Sequence, residues 1–329
     1  MAVVFQNMKH PKAKDVKEYT YEEVDFDWKA EKRTTMDCGI FLMMHLLSFK
    51  GENYSCDLGL TNTKKLYRAL ICVNLATYDY NLIRNELIAK VEEFKITGKM
   101  KIEGGNKRTR EDPEKGDQRQ SFPFLSRFMN AASKWIVDEW STQFQKMLDY
   151  MAIEDEKNMS ETLAWFGESI EVTRGDLHSL LNLKNPTSNL VTAWAFYMNY
   201  HDATIEKDAN DAKRFYFTLD HMEALEDCIH LKGKKTVAPL LKIWEDWVEA
   251  ELEFNDIKKC DCVFVPLLLK DHFFCAVINF KNETIDHLDS ILYETNEEWA
   301  EISEFIKAMG VMFELVLLPI VTQLGVVRL

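Results

Sequence analysis

Three residues of this chain have the types and settings for nucleophilic attack on a carbonyl: Cys38, His272 and Asp289. Cys38 stands in Met36-Asp37-Cys38-Gly39-Ile40-Phe41. Asp37 suits a helix N-cap there, and CGIFLMMHLLSF is apolar on every side, as a buried helix requires. A cysteine at a helix start meets the positive end of the macrodipole and N–H groups without intrahelical partners. Both favour the thiolate that attacks carbonyl carbon. Taken alone, the tripeptide reads more readily as a small buried core cysteine. His272 begins the run DHFFCAVINF (271–280), and Asp289 follows in TIDHLDS (284–290). With a turn centred near 281–282, Asp289 lies across from Phe274, one same-face step from His272. A carboxylate there can fix the imidazole tautomer and stabilise the imidazolium.

The elements that must position these groups are legible from periodicity. CVFVPLLL (262–269), FFCAVINF (273–280) and TIDHLDS (284–290) are short β-branched and aromatic runs separated by charged joins, so they are predicted strands. Lys281-Asn282-Glu283 makes a hairpin turn between the last two. Helices are predicted over 126–152, where Phe128, Ala132, Trp135, Ile136 and Trp140 share a face, and over 190–200, 237–254 and 297–313. Helices and strands are segregated, which predicts an α+β fold. Residues 97–120 lose nearly all large apolar side chains and carry Gly-Gly, Pro and dense mixed charge, which reads as a linker.

Composition narrows the function classes. A net charge of -14 repels phosphate backbones, which argues against nucleic-acid binding as the main activity. No apolar run reaches the length of a membrane span, so no membrane association is expected. The cysteine count, 7, is odd and the residues are scattered, which fits free thiols in a reducing compartment, nuclear or cytoplasmic. Cys260-Asp261-Cys262, with Cys228 and His230, matches no standard zinc spacing, and no metal or cofactor is expected. His45 sits seven residues beyond Cys38 on one helix, roughly 10 Å away and out of reach as its base.

VFVPLLLKDHFFCAVINFKNETIDHLDS resembles the Ulp1/SENP family (peptidase C48) of ubiquitin-like-protein-specific cysteine proteases: a strand with proline, a His, a strand, then Asp-Ser. WKAEKRTTMDCGIFLMMHLLSF is similar to that family's nucleophile segment, a Trp followed by Asp-Cys-Gly and a central helix. RGDLHSLLNLKNPTSNLVTAWAFYMNY, read as a small strand-like unit before a Trp-bearing helix, is similar to plant members. The resemblance covers most of residues 1–95 and 121–315. It implies a papain-like α+β fold, Cys38 as nucleophile, His272 as general base and Asp289 as its orienting acid. Phe273 and Trp28 are implied at the substrate channel, and the implied partners are ubiquitin-like modifiers of the SUMO kind or their conjugates.

Three departures accompany the resemblance. The family order is His, Asp, Cys, whereas Cys38 comes first here. That order predicts a circular permutant: residues 1–96 as the C-terminal-type half, 97–120 as linker and 121–329 as the N-terminal-type half. A flexible connection of this length spans roughly 25–30 Å, enough to cross a domain face. The family's oxyanion Gln before the Cys is absent from Lys32-Arg33-Thr34-Thr35-Met36, where Lys32, Arg33 or a threonine are the substitutes at hand. Phe273 stands where the family usually has Trp. The rival reading is a non-catalytic Ulp1-like binding module.

Overall fold

The computed structural model describes residues 11–12, 16–25, 37–51, 61–102, 142–153, 158–167, 169–204, 212–219, 259–269, 271–291 and 306. In chain order the described elements begin with a 3₁₀ turn at Val16–Glu18, strand β1 (Thr20–Glu23) and helix α1 (Cys38–Ser48). Helices α2 (Thr61–Thr77), α3 (Arg84–Ile102) and α4 (Thr142–Met151) follow. Next come β2 (Thr162–Phe166), β3 (Ile170–Thr173), α5 (Arg174–Leu181) and α6 (Ser188–Thr204). The last are β4 (Arg214–Tyr216), β5 (Cys262–Leu269), β6 (His272–Asn279) and β7 (Thr284–Leu288). They form two compact units: Met1–Gly59 together with Asn185–Leu329, and Leu60–Lys184.

The first unit is built on a mixed sheet of order β1-β7-β6-β5-β4. β5, β6 and β7 form an antiparallel meander, with β1 parallel to β7 at one edge and β4 parallel to β5 at the other. Every residue of the central strand β6 is buried. A strand covered on both faces has no polar side, which is why FFCAVI is continuously apolar rather than alternating. Pro266 in β5 lies beyond Phe264, the last residue that pairs with β4, so its missing N–H breaks no bond on that side. At the β6–β7 turn, Asn279 Oδ1 accepts from the backbone N–H groups of Lys281 and Asn282, and Glu283 takes a left-handed φ of 59°. The Asn side chain thus substitutes for a backbone acceptor and sets the register of the hairpin.

α1 is hydrophobic all round because it is enclosed all round: every residue from Cys38 to Leu46 is buried. It packs on β6 and on α6. Trp194 of α6 donates its indole N–H to the Met43 carbonyl at 2.8 Å, tying the two helices within the core. At the far end of α1, Arg214 donates to the Leu47 carbonyl at 2.7 Å while pairing with Asp202 through both carboxylate oxygens, each at 2.7 Å. A guanidinium is well suited to this place, since it satisfies an end-of-helix carbonyl and opposes the negative end of the dipole.

The second unit holds α2 to α5 and the β2–β3 hairpin. Here the expectation for RGDLHSLL is corrected: Arg174–Leu181 is the helix α5, not a strand-like unit. Thr173 accepts from the Asp176 N–H and the Asp176 carboxylate accepts from the Thr173 N–H, a complete capping box that starts a helix at this point. The strands lie just upstream, in β2 and β3. α3 continues to Ile102, into the stretch that composition assigns to a linker. The helices expected over 237–254 and 297–313, and the face carrying Phe128, Ala132, Trp135, Ile136 and Trp140, lie outside the described residues, Ile306 excepted.

Candidate active site

Cys38 is the first residue of α1. Asp37 occupies the N-cap position and its carbonyl accepts from Phe41 N at 2.9 Å, while its side chain makes no capping hydrogen bond. The helix therefore begins at the nucleophile candidate, whose N–H belongs to the first turn, where intrahelical acceptors are lacking.

The pairing Cys275 with Leu288 sets Phe274 opposite Asp289 as the register runs on past β7. Asp289 then reaches one same-face step along β6, and its Oδ1 lies 2.7 Å from His272 Nε2. The same oxygen accepts from Ile291 N at 3.0 Å, and Oδ2 lies 3.5 Å from His287 Nε2. Asp289 is fully buried, so its contacts hold one carboxylate rotamer in a dry setting. The His272 ring stacks beside Phe274, and Phe274 meets the edge of His287.

Cys38 lies near enough to His272 to act on its charge state. With Nε2 engaged by Asp289, Nδ1 is the ring nitrogen left for the thiol. Burial opposes the charged ring. The Asp289 hydrogen bond, then Cys38, outweigh burial and push the pKa up to about 9. At neutral pH the ring is thus held as the imidazolium, the form that can give a proton to a leaving group.

The floor beside Cys38 is tight. A β-carbon on Gly39 would collide with the Pro186 ring and lie 3.2 Å from Phe273 Cδ2. The Cys-Gly pair is therefore a packing requirement: two rings close over the start of α1, and only a residue without a side chain fits beneath them. Phe273 is buried there. Trp28, the other residue implied at the substrate channel, lies outside the described residues, as do Lys32, Arg33, Thr34, Thr35 and Met36.

Sequence reasoning passed over Asn185, whose Oδ1 accepts from Cys38 Sγ at 3.9 Å, and Pro186 and His287. Asn-Pro signals a turn, and nothing local says that this turn arrives at a thiol 147 residues away. Among the described residues no group of three or more His, Cys, Asp or Glu is arranged to hold a metal ion. No described helix is long and apolar enough to cross a membrane.

A mixed α+β sheet carrying a cysteine at a helix start against a His–Asp pair defines a cysteine protease fold. Residues 190–317 match the family model of the Ulp1 protease family, C-terminal catalytic domain. The matched segment contains His272 and Asp289 but not Cys38, which reaches the site from the other end of the chain. Nothing matches among curated proteins or solved structures. The match supports, at family level, a cysteine peptidase of the kind specific for ubiquitin-like proteins.

Proposed function

We propose that this protein hydrolyses the peptide or isopeptide bond that follows the C-terminus of a SUMO-like modifier, as a permuted Ulp1-type protease whose active site closes within one chain. The observation that carries the reading is the His272–Asp289 pair with Cys38 close enough to act on the same ring, residues contributed by opposite ends of the sequence. The Cys38 thiolate adds to the carbonyl carbon, forming a C–S bond as the π electrons move to oxygen. Collapse of the tetrahedral intermediate expels the amine, which takes the proton held by the His272 imidazolium. His272, now neutral, takes a proton from water as it attacks the thioester; the carboxylate leaves and Cys38 is restored. Asp289 holds the ring and stabilises its charged form without itself being protonated.

The rings of Phe273 and Pro186 above Gly39 suit an extended substrate end with small residues, because the backbone must approach the thiol closely. Supporting the same reading, the alignment of His, Asp and a central-helix Cys matches the family's chemistry although its order along the chain does not. The test uses ubiquitin-like modifiers carrying an electrophile at the C-terminus. Labelling of Cys38 by a SUMO-type probe, abolished in Cys38→Ala, is the expected result. Folded protein that no modifier labels, beside a control protease that is labelled, would leave the binding-module reading in its place.

A further inference from the structure

Acyl transfer places negative charge on the carbonyl oxygen, and a protease of this kind needs donors aimed at it in addition to a triad. The Cys38 N–H at the start of α1 is one such donor. We infer that the side-chain amide of Asn185 is the second, taking the part of the glutamine that is absent from Lys32-Arg33-Thr34-Thr35-Met36. The inference rests on the protease reading above.

Asn185 Oδ1 lies 3.9 Å from Cys38 Sγ, so the amide already touches the reacting atom. Its approach is from a separate segment, immediately before α6. The placement is not casual. Pro186, next in the chain, is buried with its ring against Gly39, and proline restricts the residue before it to extended backbone. Asn185 is therefore pinned by its neighbour to the same residue pair, Cys38-Gly39, that presents the nucleophile.

An amide has both an acceptor and a two-proton donor at one end of a short side chain. In this structure the carbonyl oxygen faces sulfur. With Cys38 as the thiolate beside the His272 imidazolium, an oxygen lone pair facing a sulfur anion is repulsive. A half-turn of the amide then presents Nδ2 to the thiolate and, after attack, to the oxyanion that forms one bond away. The elevated pKa of His272 is consistent with the charge-separated state in which this turn is favoured. An acid in the same place would do the reverse, and an aliphatic side chain would do nothing.

The experiment compares wild type with Asn185→Ala, Asn185→Asp and Asn185→Gln, all checked for folding by thermal melt. Three readouts are taken: turnover of a modifier carrying a C-terminal fluorophore, affinity for a modifier C-terminal aldehyde, and alkylation of Cys38 by iodoacetamide. Alkylation is a displacement at saturated carbon and builds no oxyanion, whereas the aldehyde adduct does. Asn185→Ala is expected to lose about 100- to 1,000-fold in kcat with aldehyde affinity falling alongside, while KM and alkylation stay within about threefold. Asn185→Asp should lose at least as much, and Asn185→Gln should recover part of it. Active wild type with an Asn185→Ala kcat within about threefold overturns the inference, as does alkylation falling in step with kcat. Wild type that is alkylated at Cys38 yet turns over no modifier overturns the protease reading itself, and this inference with it.

Discussion

Asp289 Oδ1 lies 2.7 Å from His272 Nε2 across two strands, and both side chains are buried. The distance follows from the hairpin: the Asn279-centred turn sets the register, and the register sets which carboxylate meets which ring. Removing that carboxylate while keeping its shape isolates the electrostatic part. Asp289→Asn is expected to lower kcat on the order of 10²- to 10⁴-fold with little change in KM, measured with the same fluorogenic modifier.

The pH dependence follows from the same pair. The folded-state pKa of His272, about 9, lies above the ordinary histidine value of 6.5, so folding favours the protonated ring. Its contribution to stability is therefore fully present below about pH 6.5 and is lost as pH rises through about 9. The alkaline limb of kcat/KM should fall near pH 9, where the imidazolium is lost, and Asp289→Asn should shift that limb to lower pH. A limb that stays in place in Asp289→Asn would mean that Asp289 does not set the charge state of His272.

Gly39 offers a test of packing beside the nucleophile. Gly39→Ala brings a methyl group onto the Pro186 ring and is expected to cost about 1–3 kcal/mol in urea unfolding, with loss of turnover. Adding Pro186→Ala should restore much of the stability, since the clash is with that ring.

The far end of the same helix depends on Arg214. Asp202 is fully buried and faces the guanidinium through both oxygens, so Arg214→Met leaves an uncompensated buried carboxylate. About 3–5 kcal/mol of stability should be lost, read by urea unfolding. The double variant Arg214→Met with Asp202→Leu should recover a large part, because the stranded charge is gone.

Thiol reactivity separates the described cysteines. Cys72 and Cys275 are buried with burial raising their pKa values, and Cys262 is pushed up to about 12, again chiefly by burial. Few of these thiols are thiolates at neutral pH. Brief iodoacetamide treatment of native protein, read by peptide mass mapping, should therefore modify Cys38 ahead of Cys72, Cys262 and Cys275.

Much of the site's local form was written in the sequence alone. The continuous apolar run after Cys38 specified a buried helix, and α1 spans Cys38–Ser48. The predicted strand 262–269 is β5 residue for residue, and the turn near 281–282 predicted the facing of Phe274 and Asp289. These features depend on side-chain periodicity and turn chemistry, which act between residues close along the chain. RGDLHSLL was misread for the same reason: its fate turned on a reciprocal hydrogen bond between Thr173 and Asp176 rather than on periodicity. Only the tertiary structure decided what meets what over long separations. It laid β1 parallel to β7, brought His272 to Cys38, and delivered Asn185 to the same sulfur from 147 residues away. Such meetings are decided by burial of whole faces against one another, and no short stretch of sequence records which distant partner wins.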